Sequence, residues 1–424
     1  MALGWGPALQ HRHYRLLFFS LLPGTLGLMM AMVAFGYVAY RISGSATLLA
    51  LTTAGYGISM AVLSPVAGMV TDRFSRRSLL LATQGTLGVS AAIAALLIAT
   101  GTVQIWQLLL VSILQGAAFA FNMPARQALI AELVPPDDLA NAIALSNAGL
   151  NLNRILGPAL AGVLLSIPAV GPVGVFLLMA ALYTAVFVML LRLPATLRVG
   201  RAPRLGRGSA LVGLRYVFER PALRRLMTMA ALPVLFGMPY QSLMPATADR
   251  VFGVGAAGLG TLLAANGVGA LAGSLVVAAH TSRKVANGQV ASDRLRRLQL
   301  AAGVLLGAAV VAFGLNGQFL VALPLVALAG GAAAAYSSVN STLLMQGAEP
   351  EYHGRVMSVY MMAFSAMPLS SVPAAWVADH IGLPLTLIVC GATCAAIVGL
   401  LGRAALPGAA PAMARHEPAA GAAA

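Results

Sequence analysis

Acidic residues are scarce in this chain, and lysine is almost absent. Its 424 residues hold 11 Asp and Glu against 26 basic residues, of which 25 are Arg and one, Lys284, is Lys. Charged residues make up only 9% of the sequence. An ordinary soluble domain carries about 25%, so a globular protein with a wetted surface is excluded. Cysteine is nearly missing too. Cys390 and Cys394 stand four apart in an apolar run with no His or acid beside them, and read as small hydrophobes rather than as a metal or redox pair.

Other absences exclude chemistry. The acids fall in loops or at the ends of apolar runs. No cluster of His, Asp or Glu has metal-ligand spacing, and no nucleophile stands beside a base, which argues against a membrane enzyme. "GVGAAG", Gly253 to Gly258, has the G-x-G-x-x-G spacing but follows an apolar run with no strand before it, so it is no dinucleotide fingerprint. No phosphate-binding lysine motif is present, no cofactor is implied, and nothing calls for an ATPase subunit.

What remains is apolar. Hydrophobic residues make up 59% of the chain, and mean hydropathy is +0.87. Runs of about 20 such residues read as membrane-spanning helices. The pattern predicts twelve, near 16–40, 47–69, 78–100, 105–124, 141–166, 172–193, 225–247, 256–279, 298–315, 318–343, 356–378 and 384–405. The first, "HRHYRLLFFSLLPGTLGLMMAMVAFGYVAY", is long enough to cross and is expected to stay as an anchor. The fold class is therefore an all-α membrane protein.

The net charge of +15 would suggest nucleic acid in a soluble protein. Here it sorts by side of the membrane. With both termini cytoplasmic, 23 of the 26 basic residues fall on the cytoplasmic side, Arg126 among them. Arg41 and Arg250 fall outside, and only Arg154 lies within a span. That asymmetry supports twelve crossings with both termini inside.

The longest polar interruption divides the chain. Residues 1–193 are expected to form an N-terminal six-helix bundle, 194–221 a basic cytoplasmic linker, 222–406 a C-terminal six-helix bundle and 407–424 a disordered Ala/Pro-rich tail. "FNMPARQALIAELVPPDDLANAIAL" is echoed by "SVNSTLLMQGAEPEYHGRVMSVYMM" after span ten, as a duplication would leave. Two six-helix pseudo-repeats with a site between them is a transporter plan.

"GMVTDRFSRRS" lies between spans two and three. Gly68 permits close helix approach, Asp72 can cap a neighbouring helix N-terminus, and Arg73, Arg76 and Arg77 anchor the turn. This loop resembles the signature loop of the major facilitator superfamily, G-x-x-x-D-R-x-x-R-R/K. The likeness runs over nearly the whole chain. "LGPALAG" in span five is similar to the superfamily's antiporter motif, with Asn153 where its upstream glycine stands. "RILGPALAG", "GLRYVFERPALR" and "EYHGRVMSVY" resemble the branch of the enterobactin exporter, macrolide-efflux and transmembrane secretion effector proteins.

The resemblance implies a secondary transporter working by alternating access and exporting a siderophore-like or macrolide-like molecule, with protons as a coupling ion. It also implies that Asp72 holds a cytoplasmic gate by capping span eleven near Arg355 to Ser358, and that Arg73 or Arg77 pairs with Glu132. One departure stands in span four. Many drug antiporters of the superfamily have an arginine three residues before Gln-Gly, but Ser112 precedes Gln115 and Gly116 here.

Arg154 is the embedded charge instead. Asn147, Asn151 and Arg154 share a helix face, which Pro158 and Ala161 continue. In span four Ser112, Gln115, Phe119, Asn122 and Arg126 share another. Two polar faces cannot both meet lipid, so each should face protein or a wet cleft. Arg154 reads either as a contact for an anionic or carbonyl-rich cargo or as a clamp on span four at Gln115 or Asn122. Gly157 and Gly162 allow close helix packing, and Pro158 frees a backbone carbonyl. Tyr240, Gln241, Asn266, Tyr336, Asn340 and Ser365 are the second half's cavity candidates. Proton-carrying groups reduce to Asp379, Asp249, Glu132, Asp72 and His380. An importer of the same fold, and a non-transporting assembly or lipid-handling protein, stay open as alternatives.

Overall fold

Long apolar runs in a bilayer must close their backbone hydrogen bonds internally, and this chain does so with helices. The computed structural model describes residues 7–194, 209–282, 290–349, 352, 356, 357, 359, 360 and 367–403, and no strand occurs among them. Six helices form the first half: α1 (Arg12–Ser43), α2 (Ala46–Arg73), α3 (Arg76–Ala99), α4 (Ile105–Leu133), α5 (Pro136–Ser166) and α6 (Gly171–Leu191). The second half contains α7 (Ser209–Glu219), α8 (Pro221–Phe236), α9 (Pro239–Arg250), α10 (Gly255–Ser282), α11 (Val290–Leu315), α12 (Phe319–Gly347), α13 (Met367–Ile381) and α14 (Leu383–Arg403). Among the described residues eleven segments are long and apolar enough to cross a membrane, with α8 and α9 together as one. The expected span 356–378 is described only in part, and the expected tail 407–424 lies outside the described residues.

Helix pairing repeats between the halves. α2 packs on α4 as α10 packs on α12, and α3 packs on α4 and α6 as α11 packs on α12 and α14. The sequence echo thus has a counterpart in packing. Between the halves, α5 meets α10, α2 meets α13, and α1 meets α9.

Three expectations change. Span seven, predicted as one helix over 225–247, breaks at Gly237 and Met238. Pro239 opens α9 at its first turn, where a missing N–H costs nothing. Pro233 removes the N–H that would bond the carbonyl of Met229, and the hydroxyl of Tyr336 donates to that carbonyl at 2.5 Å instead. Span four does not stop at residue 124, because α4 carries Pro124 inside it and runs on to Leu133. Arg126 therefore lies within the bundle rather than in a loop. It is 4% exposed and donates to the Leu17 carbonyl and Ser20 Oγ of α1, each at 3.1 Å.

Within 194–221, expected to be linker, α7 docks on the second half. Tyr216 stacks on Tyr352 with ring centroids 3.9 Å apart. The Arg220 guanidinium lies 3.7 Å over Tyr216 and reaches Glu349 at 2.7 Å.

Candidate functional site

Two ends of the bundle differ in what joins the halves. At the end bearing the α1–α2 turn, Gly44 adopts φ 62°, which turns the chain sharply into Ser45, the N-cap of α2. The first backbone N–H groups of α2 need acceptors. Asp379 of α13 supplies them from the other half. Its carboxylate accepts from Ala46 N at 3.0 Å, Thr47 N at 2.9 Å, Ser45 Oγ at 2.7 Å and Thr47 Oγ1 at 2.8 Å. Arg250 stands 3.6 Å from the same carboxylate and also donates to the Gly44 carbonyl. Burial alone would raise the carboxyl pKa, but the hydrogen bonds from Ser45, Thr47 and Ala46 outweigh it and bring it down to about 2. Among the described residues, every hydrogen bond between the halves lies at this Ser45 end.

Below that latch α5 and α10 touch backbone to backbone. A Cβ on Gly162 would sit 2.5 Å from the Gly260 Cα, and a Cβ on Gly267 would sit 3.0 Å from the Arg154 carbonyl. That carbonyl is the one Pro158 leaves without its helical partner. The span-five motif is therefore a seam: Pro158 frees a carbonyl, and glycines on both helices let the backbones close on it. Gly157 faces α1 instead, where a Cβ would overlap Met29.

Toward the other end the same face of α5 comes out of contact. Pro158, Ala161 and Gly162 are buried, whereas Arg154 and Asn147 are exposed and Asn151 is half-buried. The lipid-type stripe is a different one. Leu152, Leu156 and Val163, 47–55% exposed, lie roughly 140° around the helix from the polar face. The polar face thus continues from the seam with α10 to side chains that are exposed or half-buried. Arg154 makes no hydrogen bond or ion pair among the described residues, so the clamp on Gln115 or Asn122 is not formed.

Those two side chains, with Ser112, tie α4 to its own half. Ser112 Oγ donates to the Thr52 carbonyl at 2.6 Å, Gln115 to Ser90 Oγ at 3.3 Å, and Asn122 to Thr83 Oγ1 at 2.8 Å. Phe119 packs 6.1 Å from the Tyr56 ring. In the second half Tyr240, Gln241 and Asn266 do come together. The Tyr240 hydroxyl accepts from Asn266 Nδ2 at 2.6 Å and Gln241 Nε2 at 3.3 Å, and Asn266 reaches the Val326 carbonyl. Asn340 is buried and accepts from Gln299 at 2.5 Å, apart from that trio. Ser365 lies outside the described residues.

The signature loop is partly visible. Glu132 pairs with Arg76, and Arg77 does not reach it. Arg76 opens α3 as a buried residue, while Arg77 turns outward to donate to the Leu190 and Leu191 carbonyls. The side chains of Gly68, Asp72 and Arg73, and the expected cap near Arg355 to Ser358, lie outside the described residues. Sequence reasoning named Asn153 only as a departure from the motif and missed its tie to α1, where its amide binds the Leu22 carbonyl at 2.8 Å and Thr25 at 2.5 Å; it also missed the capping role of Asp379. Asn153 had a signal, being polar inside an apolar run. The Asp379 cap joins residues 334 apart and had none.

Comparison with known proteins gives the same picture. The family model described as transmembrane secretion effector matches residues 2–419. Macrolide efflux protein A of Streptococcus pyogenes is 24% identical over 362 residues, covering 82% of this chain and 86% of its own. An enterobactin exporter of Shigella flexneri is 28% identical over 308 residues, covering 72% and 70%. A staphyloferrin A transporter of Staphylococcus aureus is 24% identical, covering 79% and 81%. Among solved structures, a bacterial homologue of the human lysosomal transporter Spinster, inward-facing and unoccupied, superposes with a TM-score of 0.72 at 17% identity, covering 92% and 97%.

Proposed function

We propose, from the premise that this chain belongs to the transmembrane secretion effector family of the major facilitator superfamily, that it exports a small amphiphilic molecule by alternating access. That membership makes it a multi-pass membrane transporter and not an enzyme. The observation that carries the export cycle is the asymmetry of the cleft. Its polar α5 face is uncovered at one end, while Asp379, Arg250 and the Gly162–Gly260 seam close the other.

In this reading the open end, where Arg73, Arg76 and Arg77 lie, is cytoplasmic, both termini are inside, and the membrane is the bacterial inner membrane. Cargo enters beside Asn147, Asn151 and Arg154, the Ser45 end then releases, and the cleft reopens outward. The relatives named for macrolide efflux, enterobactin export and staphyloferrin A transport support an outward direction and a cargo of that size class. Protons are the proposed coupling ion, as the antiporter-type motif in α5 implies.

The test is untargeted mass spectrometry of cells and spent medium from deletion, wild-type and Arg154→Gln strains, under iron-limited and iron-replete growth. A compound that falls in the medium and rises in the cells on deletion supports export. If Arg154→Gln copies the deletion while the protein reaches the membrane folded, the arginine belongs to the transport path. A compound moving the other way would make the protein an importer. Collapse of export by a protonophore at constant membrane potential is expected for proton antiport.

A further inference from the structure

An exposed apolar surface lies away from the α5 face, on α7. Tyr216 and Val217 of that helix are buried in one cluster with Leu344 and Ala348 at the end of α12. Leu214 and Phe218 stand four residues apart, and so on one face, and are 37% and 58% exposed. This exposed pair lies roughly 130° around the helix from the buried pair. The Tyr216–Tyr352 stack and the Arg220–Glu349 pair hold α7 in that orientation. The fold itself therefore turns two large apolar side chains outward.

Where that face lies follows from the covalent chain. Only Arg220 stands between Glu219, the end of α7, and Pro221, the start of α8. α8 and α9 together are long and apolar enough to make one membrane crossing. α7 is thus tethered within one residue of the point where the chain enters the bilayer, at the depth of the lipid head groups. A helix with apolar residues on one face and arginines beside them suits that plane.

Charge selects the head group. Arg215 flanks the apolar face and is 82% exposed, and its pair with the exposed Glu219 is a weak surface one. Arg224 and Arg225, near the start of α8, are exposed and form no ion pair among the described residues. From Pro194 to Phe218 the sequence adds Arg198, Arg201, Arg204 and Arg207 and no acid. Each arginine close to an anionic membrane surface favours binding by about fivefold, a gain that zwitterionic head groups do not give.

We propose that α7, with the start of α8, is a docking site for anionic phospholipid. Leu214 and Phe218 enter the acyl boundary, and Arg215, Arg224 and Arg225 hold the head-group phosphates. The site requires only that α8 begins a membrane crossing, so it stands or falls apart from the direction of transport.

The test uses the full-length protein in nanodiscs of equal parts phosphatidylcholine and phosphatidylglycerol. With Cys390 and Cys394 replaced, a nitroxide is attached through Phe218→Cys or Glu219→Cys. Power saturation should find the label at 218 more accessible to oxygen than to a water-soluble nickel chelate, and the label at 219 the reverse. In native mass spectrometry of the unlabelled wild type, retained phosphatidylglycerol should exceed phosphatidylcholine by at least about fivefold. Combining Arg215→Gln, Arg224→Gln and Arg225→Gln, all at exposed positions, should lower that ratio severalfold. A label at 218 open to the nickel chelate, or a ratio unchanged in the triple variant, overturns the proposal. Dipolar broadening between labels at 218 would make the face a contact between two copies and overturn it too. Loss of the retained lipid to millimolar inorganic phosphate would assign the arginines to a soluble anion, with the same consequence.

Discussion

Replacing Asp379 by Asn removes the charge that fastens the two halves at the Ser45 end. The variant keeps the shape of the side chain but turns one of its two oxygens into a donor facing the N–H groups of Ala46 and Thr47. The carboxyl pKa is held at about 2 against an ordinary 3.8, a difference of roughly 2 kcal/mol before solvent screening. Asp379 is an exposed residue, so solvent screening leaves about 1 kcal/mol at most. That shifts the balance between latched and open forms by roughly fivefold or less. Because the pKa is depressed in the latched form, its stabilisation is full above 3.8 and is lost as pH falls toward about 2. The latch should therefore be insensitive to pH between about 5 and 8. Latched Asp379 is not the group that carries protons near neutrality. The assay is double electron–electron resonance between spin labels at Ile42 and Ile381, both exposed at that end, with Cys390 and Cys394 replaced. Asp379→Asn should populate a longer distance. Distance distributions identical to wild type would refute the latch.

Three further outcomes follow from the same geometry. Gly162→Val should abolish transport with normal membrane insertion, since a Cβ there meets the Gly260 backbone; wild-type export by this variant would contradict the seam. Glu132→Gln should lower stability by about 1–3 kcal/mol, seen as a lower melting temperature in detergent, because Arg76 would be left buried without its charge partner. Arg154→Gln should change stability by no more than about 0.5 kcal/mol while stopping transport, because the side chain is exposed and unbonded. A large melting shift would make it structural.

The fold was legible because a bilayer leaves so few choices. Apolar runs and a one-sided set of arginines specify an all-helical membrane bundle, eleven spans of which lie among the described residues, and the echo between "FNMPARQ" and "SVNSTLLMQ" reappears as matched helix pairing. Helix ends were less legible. Span four, expected over 105–124, carries Pro124 inside it and continues to Leu133, so Arg126, expected at the cytoplasmic side, lies within the bundle. Pro233 and Pro239 together with Gly237 break span seven, and that break depends on Tyr336, more than 100 residues away, covering the Met229 carbonyl. Partner choice was the least legible. Arg73, Arg76 and Arg77 are equivalent in sequence, and only the start of α3 decides that Arg76 turns inward to Glu132 while Arg77 turns out. The polar face of α5 was visible from spacing alone. Whether it met protein, lipid or a cleft depended on how α10 crosses it.

The central claim is that one cleft, open at the arginine-rich end and latched at the other, alternates between the two sides. Sided labelling of Asn147→Cys, in a background without Cys390 and Cys394, tests it most directly. A membrane-impermeant maleimide should react in inside-out vesicles and hardly at all in whole cells. Adding Asp379→Asn should raise labelling from outside. Labelling only from outside, or from neither side with or without the latch mutation, would contradict the account.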